Sequence, residues 1–207
     1  MSVFKKGDSY VFFVHIPKAG GSTIEKTFSS SGWQLSYYDA GGPKSLNTIR
    51  KTSPQHMDKH QYNAIFDLSK FEVVFTCVRD PMTRFKSEMA MRFGNNFSRD
   101  INENNQFALK LIKRYLSNEL AFDGHLRPQA DYIVPGVRVY KLESGMSQII
   151  ESLDQDYGLS LNYDGSQVLS REKKSGYKSS DILLSPYIED YIKDIYSEDY
   201  NLLDYKK

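Results

Sequence analysis

Cysteine is nearly absent. The 207 residues hold one, Cys77. That excludes an intramolecular disulfide and a zinc centre built on several thiolates. A surplus of charge is missing too: 27 Lys and Arg face 26 Asp and Glu, for a net charge of +1. A dedicated nucleic-acid binder carries a basic excess, so that class is not expected, while a local basic pocket for one small anion is compatible with the balance. Long apolar runs are lacking. The most apolar N-terminal stretch, Tyr10 to Ile16, is about seven residues, where a membrane span needs roughly 20. Met1 to Asp8 has no secretory pattern. No internal repeat or low-complexity linker interrupts the chain. These absences lead to the expectation of a cytoplasmic protein with no nucleic-acid partner and no membrane span.

What is present reads as a globular α/β protein. Forty percent of residues are hydrophobic and 26% charged, which is ordinary for a folded domain. The length predicts a single domain over residues 1–207. Ser9 to Ile16 is short, nearly continuous and rich in β-branched and aromatic residues, the pattern of a strand buried on both faces. Pro17 to Gly21 breaks it, and Ser22 to Phe28 resumes as helix. Trp33 to Tyr38 reads as a second strand and Ala40 to Pro54 as loop. Phe71 to Val78 repeats the buried-strand pattern, and Pro81 is placed to open a helix running to Phe93. Gly94 to Asn104 reads as a polar loop. Gln106 to Leu116 carries Phe107, Leu111 and Tyr115 on one helical face. Arg138 to Leu142 is a short strand and Ser144 to Leu153 a helix. Ile188, Ile192 and Ile195 share a face near the end. Strands alternating with helices imply a central parallel sheet flanked by helices, with the ligand beyond the carboxyl ends of the strands.

Two strand ends carry chemistry. The first is His15-Ile-Pro-Lys-Ala-Gly-Gly-Ser-Thr23. Gly20 and Gly21 let backbone N–H groups approach a ligand closely. Ser22 and Thr23 add hydroxyls at the first helical turn, and Lys18 adds a point charge. Free N–H groups and the helix dipole make such a turn an anion site. The lysine precedes the glycines, so the standard nucleotide-triphosphate loop is absent. The second is Val78-Arg-Asp-Pro-Met-Thr-Arg-Phe-Lys-Ser87. Arg79, directly after a strand, and Ser87, two turns into the next helix, can grip one phosphate from two sides. An Arg79–Asp80 surface pair with a solvated serine is the alternative.

Together the two segments resemble the sulfotransferases that use 3′-phosphoadenosine 5′-phosphosulfate (PAPS), especially the Golgi carbohydrate type and its bacterial relatives. His125 to Gln129 and the ending Ile195 to Tyr205 look like the same family, so the resemblance spans nearly the whole chain. It implies a P-loop-like sulfotransferase fold and transfer of a sulfuryl group to a hydroxyl of a carbohydrate or other small molecule, without a metal. It implies that Pro17, Lys18, Ala19, Gly20, Gly21, Ser22 and Thr23 hold the 5′-phosphosulfate, and that Arg79 and Ser87 hold the 3′-phosphate. The chain is expected to depart from the Golgi members in having no membrane anchor, and it reads Val168-Leu-Ser-Arg171 where an Asn-x-Ser element often stands. Arg171, with Lys173 and Lys174, can close over the nucleotide or form a solvated turn.

Lys18 is expected to stabilise charge on the departing 5′-phosphate. The resemblance implies a catalytic histidine in the interval that contains His56, making His56 the expected base. His60, four residues on and expected on the same helical face, is the runner-up. His125 and Arg127 are expected at the acceptor, with Gln129 beside acceptor or nucleotide. His15, inside the apolar strand, is expected to be structural. Arg84 is expected to pair with Glu88 one turn on. Two other readings stay open. A kinase-like phosphotransferase would need a Mg²⁺-binding acid such as Asp39 or Asp80. A non-catalytic nucleotide-binding module would need the base to be misplaced.

Overall fold

A computed structural model describes every residue except 40, 42–44, 48–49, 51, 95, 97 and 167–175. Arg171, Lys173 and Lys174 lie outside the described residues. The chain divides into two compact units. The first comprises Met1–Val78 and Asp131–Val168, the second Arg79–Ala130 and Leu169–Lys207.

The first unit is built on a five-stranded sheet. Its strands are β1 (Ser2–Lys6), β2 (Ser9–Val14), β3 (Gln34–Ser36), β4 (Val73–Val78) and β5 (Arg138–Lys141), in the order β3-β1-β2-β4-β5. β2, β4 and β5 are parallel, as expected. The sheet is mixed, because β1 runs antiparallel to both β2 and β3. β1 was not anticipated. It turns into β2 through Gly7 and Asp8, with Gly7 at φ +59° in the left-handed region that a tight hairpin requires.

Val11 to Val14 are all buried, so β2 is covered on both faces. On one face α1 (Gly21–Ser30) joins a core of Phe4, Val11, Phe13, Ile24, Phe28, Trp33 and Phe75, closed by Ile149, Ile150 and Leu153 of a later helix, Met146–Tyr157. On the other, Phe12 meets Tyr62, Phe66 and Phe71 edge-on, at centroid separations of 5.5, 5.3 and 4.9 Å. Cys77 sits in this core, where burial pushes its thiol up to about 12. It is therefore no nucleophile at neutral pH.

The second unit is helical. Pro81–Phe93, Ile101–Ser117 and Pro186–Ile195 pack Phe85, Met89, Leu111, Ile112, Ile188 and Ile192 into a separate core, with Tyr196 and Tyr200 covering it. The helix over 101–117 begins five residues before the expected start at Gln106. The Asp100 carboxylate accepts from the N–H groups of Asn102 and Glu103 and so starts a polar first turn. Among the described residues no helix is long and apolar enough to cross a membrane.

Candidate active site

In the first unit, β2 and β4 are adjacent and parallel, with Val14 opposite Thr76, so both strands end at the same edge of the sheet. Beyond β2 the chain makes a turn whose shape suits an anion. Lys18 lies at φ +69° and Gly20 at φ +89°. A lysine held in the left-handed region costs of order 1 kcal/mol, so tertiary structure is imposing that turn. α1 then opens with no side-chain cap. Within the turn the Ala19 N–H reaches the Ile16 carbonyl at 3.4 Å, and at the start of α1 the N–H groups of Thr23 and Ile24 both donate to the Gly20 carbonyl. The earlier N–H groups, on Gly21 and Ser22, belong to the orphan donors at a helix start that can meet an external anion.

His15 lies against this turn. Its ring occupies the space where a side chain at Gly21 would be: a Cβ there would stand 2.3 Å from Nε2 and 2.4 Å from Cδ2. On its other edge, Nδ1 meets Glu25 Oε1 at 2.7 Å, and the Ser2 hydroxyl donates to the same oxygen at 2.7 Å. Burial pushes the Glu25 carboxyl up, but the His15 charge and the hydrogen bonds from His15 and Ser2 outweigh it and hold the carboxyl below its ordinary value. Glu25 carried no signal in the sequence. It is a helical carboxylate ten residues from its partner, and only the way the chain turns back after β2 into α1 joins them.

His56 ends a 3-10 turn, Pro54–His56, and is buried. Its Nδ1 lies 3.1 Å from the Ser53 hydroxyl, and its ring meets that of His15 edge to face at 5.1 Å. His60 is on a different element, the helix Lys59–Asn63, and is exposed. The shared-face expectation therefore fails, because Asp58 caps a new helix between the two histidines. Asp39 is spent on its own loop. It accepts from Gly41 N–H, Leu46 N–H and the Arg50 guanidinium, and is no ready metal ligand.

In the second unit Arg79 is held by its backbone. The buried Gln129 amide accepts from Arg79 N–H at 2.9 Å and donates to its carbonyl at 2.8 Å. Gln129 is thus a clamp on Arg79 rather than a ligand contact. Asp199, fully buried, accepts from the Ala130 N–H, and burial raises its carboxyl above the usual range. Asp80 caps the helix Pro81–Phe93 by accepting from Thr83 N–H, which leaves it in a structural role. Ser87 is half-buried on that helix.

Arg84 does not pair with Glu88. Its guanidinium donates to the carbonyls of His125 and Arg127 at 3.0 and 2.7 Å, tying down the loop that the sequence singled out. Glu88 instead meets Arg92 at 2.7 Å and His125 Nδ1 at 2.9 Å. Arg127 is buried, with its guanidinium 3.7 Å from Glu119. His125 and Arg127 are therefore both anchored within their own unit.

An uncapped helix start after a buried parallel strand, preceded by a lysine in the left-handed region, is an arrangement whose main-chain donors are able to meet an anionic group. The family follows from the whole chain: a model of the sulfotransferase family matches residues 2–206, and the protein belongs to that family. The α/β architecture, with parallel strands flanked by helices, agrees with it. Membership supports an enzyme that transfers a sulfuryl group. No curated protein and no solved structure matches the chain.

Proposed function

We propose that the protein transfers the sulfuryl group of PAPS to a hydroxyl of a carbohydrate or other small-molecule acceptor, and that both units belong to one sulfotransferase domain. The observation that carries the donor reading is the turn over residues 17–23. Its donors are all of the kind a phosphosulfate needs: the N–H groups of Gly21 and Ser22, the hydroxyls of Ser22 and Thr23, and the Lys18 ammonium. Pro17 and Ala19 shape the turn. A side chain at Gly21 would strike the His15 ring, so glycine is what lets His15 pack against the turn.

PAPS supplies the sulfuryl group on a phosphate leaving group. Lys18 neutralises charge where the 5′-phosphate departs, and the N–H groups of Gly20 to Ser22 share that load. Arg79 and Ser87 bind the 3′-phosphate, the arginine with its main chain fixed by Gln129. His56, whose Nδ1 lies 3.1 Å from the Ser53 hydroxyl, is assigned as the base that takes the proton of the acceptor hydroxyl. His60, His125 and Arg127 are assigned to the acceptor side. Arg171 is assigned to the nucleotide on the resemblance alone. Calorimetric titration with adenosine 3′,5′-bisphosphate, on wild type and Arg79→Ala, tests the assignment. A charge-assisted contact is worth about 1.5–3 kcal/mol, so the substitution should weaken binding by roughly 10- to 100-fold. Equal affinity in the two proteins removes Arg79 from the site.

A further inference from the structure

Asp199 is fully buried in the short helix Ser197–Leu202, and its carboxylate serves a single stretch of chain. Oδ1 accepts from the Ala130 N–H at 2.9 Å, the Gln129 main-chain N–H adds a further hydrogen bond, and Oδ2 stands 3.4 Å from the Gln129 side-chain Nε2. Burial pushes the carboxyl up, and the Arg84 charge and these hydrogen bonds offset that only in part. Arg84 spends donors of its own on the carbonyls of His125 and Arg127. An asparagine would cap the Ala130 N–H without burying a charge, which is costly. What the carboxylate adds is a second oxygen that can only accept. That oxygen faces the Gln129 amide, the group that clamps the Arg79 main chain.

We infer that Asp199 is a positioning residue for Arg79: its Oδ2 fixes which way round the Gln129 amide lies, and the amide in turn holds the Arg79 main chain. This rests on the proposed role of Arg79 at the 3′-phosphate. The oxygen and nitrogen ends of an amide have nearly the same shape, so packing alone does not orient it. Polarity does. Gln129 Oε1 accepts from the Arg79 N–H at 2.9 Å, and Nε2 donates to the Arg79 carbonyl at 2.8 Å. At 3.4 Å the Asp199 contact is too long to hold the amide by attraction alone. Its force is in exclusion. Turning the amide over would set Oε1 against Asp199 Oδ2 and against the Arg79 carbonyl, acceptor against acceptor in a buried place. Asp199 and Arg79 thus require the same orientation of Gln129. The clamp fixes the point from which the Arg79 side chain reaches, and a forked donor must be aimed to bind a phosphate by two bonds. Asp199→Asn breaks the agreement with almost no change of shape. If the new oxygen keeps the Ala130 N–H, the new NH₂ faces Gln129 Nε2, donor against donor. If the new amide turns over, the same conflict moves to the Ala130 N–H.

The test is calorimetric binding of adenosine 3′,5′-bisphosphate and of adenosine 5′-monophosphate to the wild type, Asp199→Asn, Arg79→Ala and the double variant. The wild type should prefer the bisphosphate. Asp199→Asn should lower that preference by roughly 5- to 20-fold, part of the loss expected from removing the arginine itself, with monophosphate affinity unchanged. Because Asp199 acts through Arg79, adding Asp199→Asn to Arg79→Ala should weaken the bisphosphate no further. A merely loosened core costs affinity for both nucleotides and in both backgrounds, and that result overturns the inference. Should the variant not fold, nuclear magnetic resonance of the wild type decides. The two Gln129 side-chain N–H protons should exchange slowly with solvent, and an amide that exchanges freely overturns the inference. A wild type with no preference for the bisphosphate rejects the 3′-phosphate reading and the inference with it, whereas a preference that survives Asp199→Asn rejects the role of Asp199 alone.

Discussion

Replacing Gly21 by alanine probes the donor turn with one methyl group. The new Cβ would stand 2.3 Å from His15 Nε2 and 2.6 Å from Cε1, where ordinary van der Waals contact begins near 3.4 Å. Ring or turn must therefore give by about 1 Å. The ring cannot swing away cheaply, because Nδ1 is tied to Glu25 at 2.7 Å and its plane rests on His56. The turn must move, or the His15–Glu25 bond must break. Overpacking of this kind costs about 1–3 kcal/mol. For a chain of this size that lowers Tm by several degrees, roughly 3–10 °C. Displacing the N–H groups of Gly21 and Ser22 by about 1 Å should also reduce turnover by roughly 100-fold. Thermal denaturation and PAPS turnover read the two effects. Adding His15→Ala to Gly21→Ala reopens the space and should recover part of the lost Tm. An alanine variant with wild-type Tm and turnover would refute the close packing of His15 on the turn and the anion site built upon it.

Other expectations concern separate parts of the account. Lys18→Ala should lower turnover by at least ~100-fold, the scale of losing one preorganised charge stabiliser; near-normal turnover removes Lys18 from the reaction. Gln129→Leu orphans the Arg79 N–H and carbonyl that the amide now satisfies, and should cost about 1–3 kcal/mol per group in urea denaturation while weakening bisphosphate binding; unchanged stability contradicts the clamp. Glu25 has a folded-state value below its ordinary 4.5. It therefore adds stability above that pH and loses it as pH falls, so Glu25→Gln should flatten the decline of stability as pH drops below the ordinary carboxylate value. A decline as steep as in the wild type would show that the carboxylate is not held by His15 and Ser2.

The parts of the fold written in local pattern were legible. The strand–turn–helix over residues 9–30 and the helix Pro81–Phe93 follow from a buried apolar run, a glycine pair and a proline at a first helical turn. β1 was hidden because Ser2 to Lys6 is buried only at its first three residues and ends in two exposed lysines, so its apolar content is too short to stand out. The first turn of the helix over 101–117 carries a loop-like sequence because its start is set by a cap rather than by hydrophobic spacing. The anion turn was visible because its chemistry is contiguous. The residues that hold the rest in place were not. Gln129 reaches Arg79 across 50 positions, and Arg84 reaches the carbonyls of His125 and Arg127 across 41 and 43. Separations of that kind leave no periodicity to read. The same limit misplaced His60, since sequence spacing alone does not register the Asp58 cap that starts a new helix.

The central claim is that the chain holds a 3′-phosphorylated adenine nucleotide as sulfuryl donor. Its most direct measurement is calorimetric binding of adenosine 3′,5′-bisphosphate to the wild-type protein, beside ADP and ATP with Mg²⁺. The account predicts that the bisphosphate binds tightly and the other two weakly, because Arg79 and Ser87 provide for a 3′-phosphate and the Lys18 turn for a single 5′-group. Preference for ATP with Mg²⁺, or equal binding of all three, would contradict it.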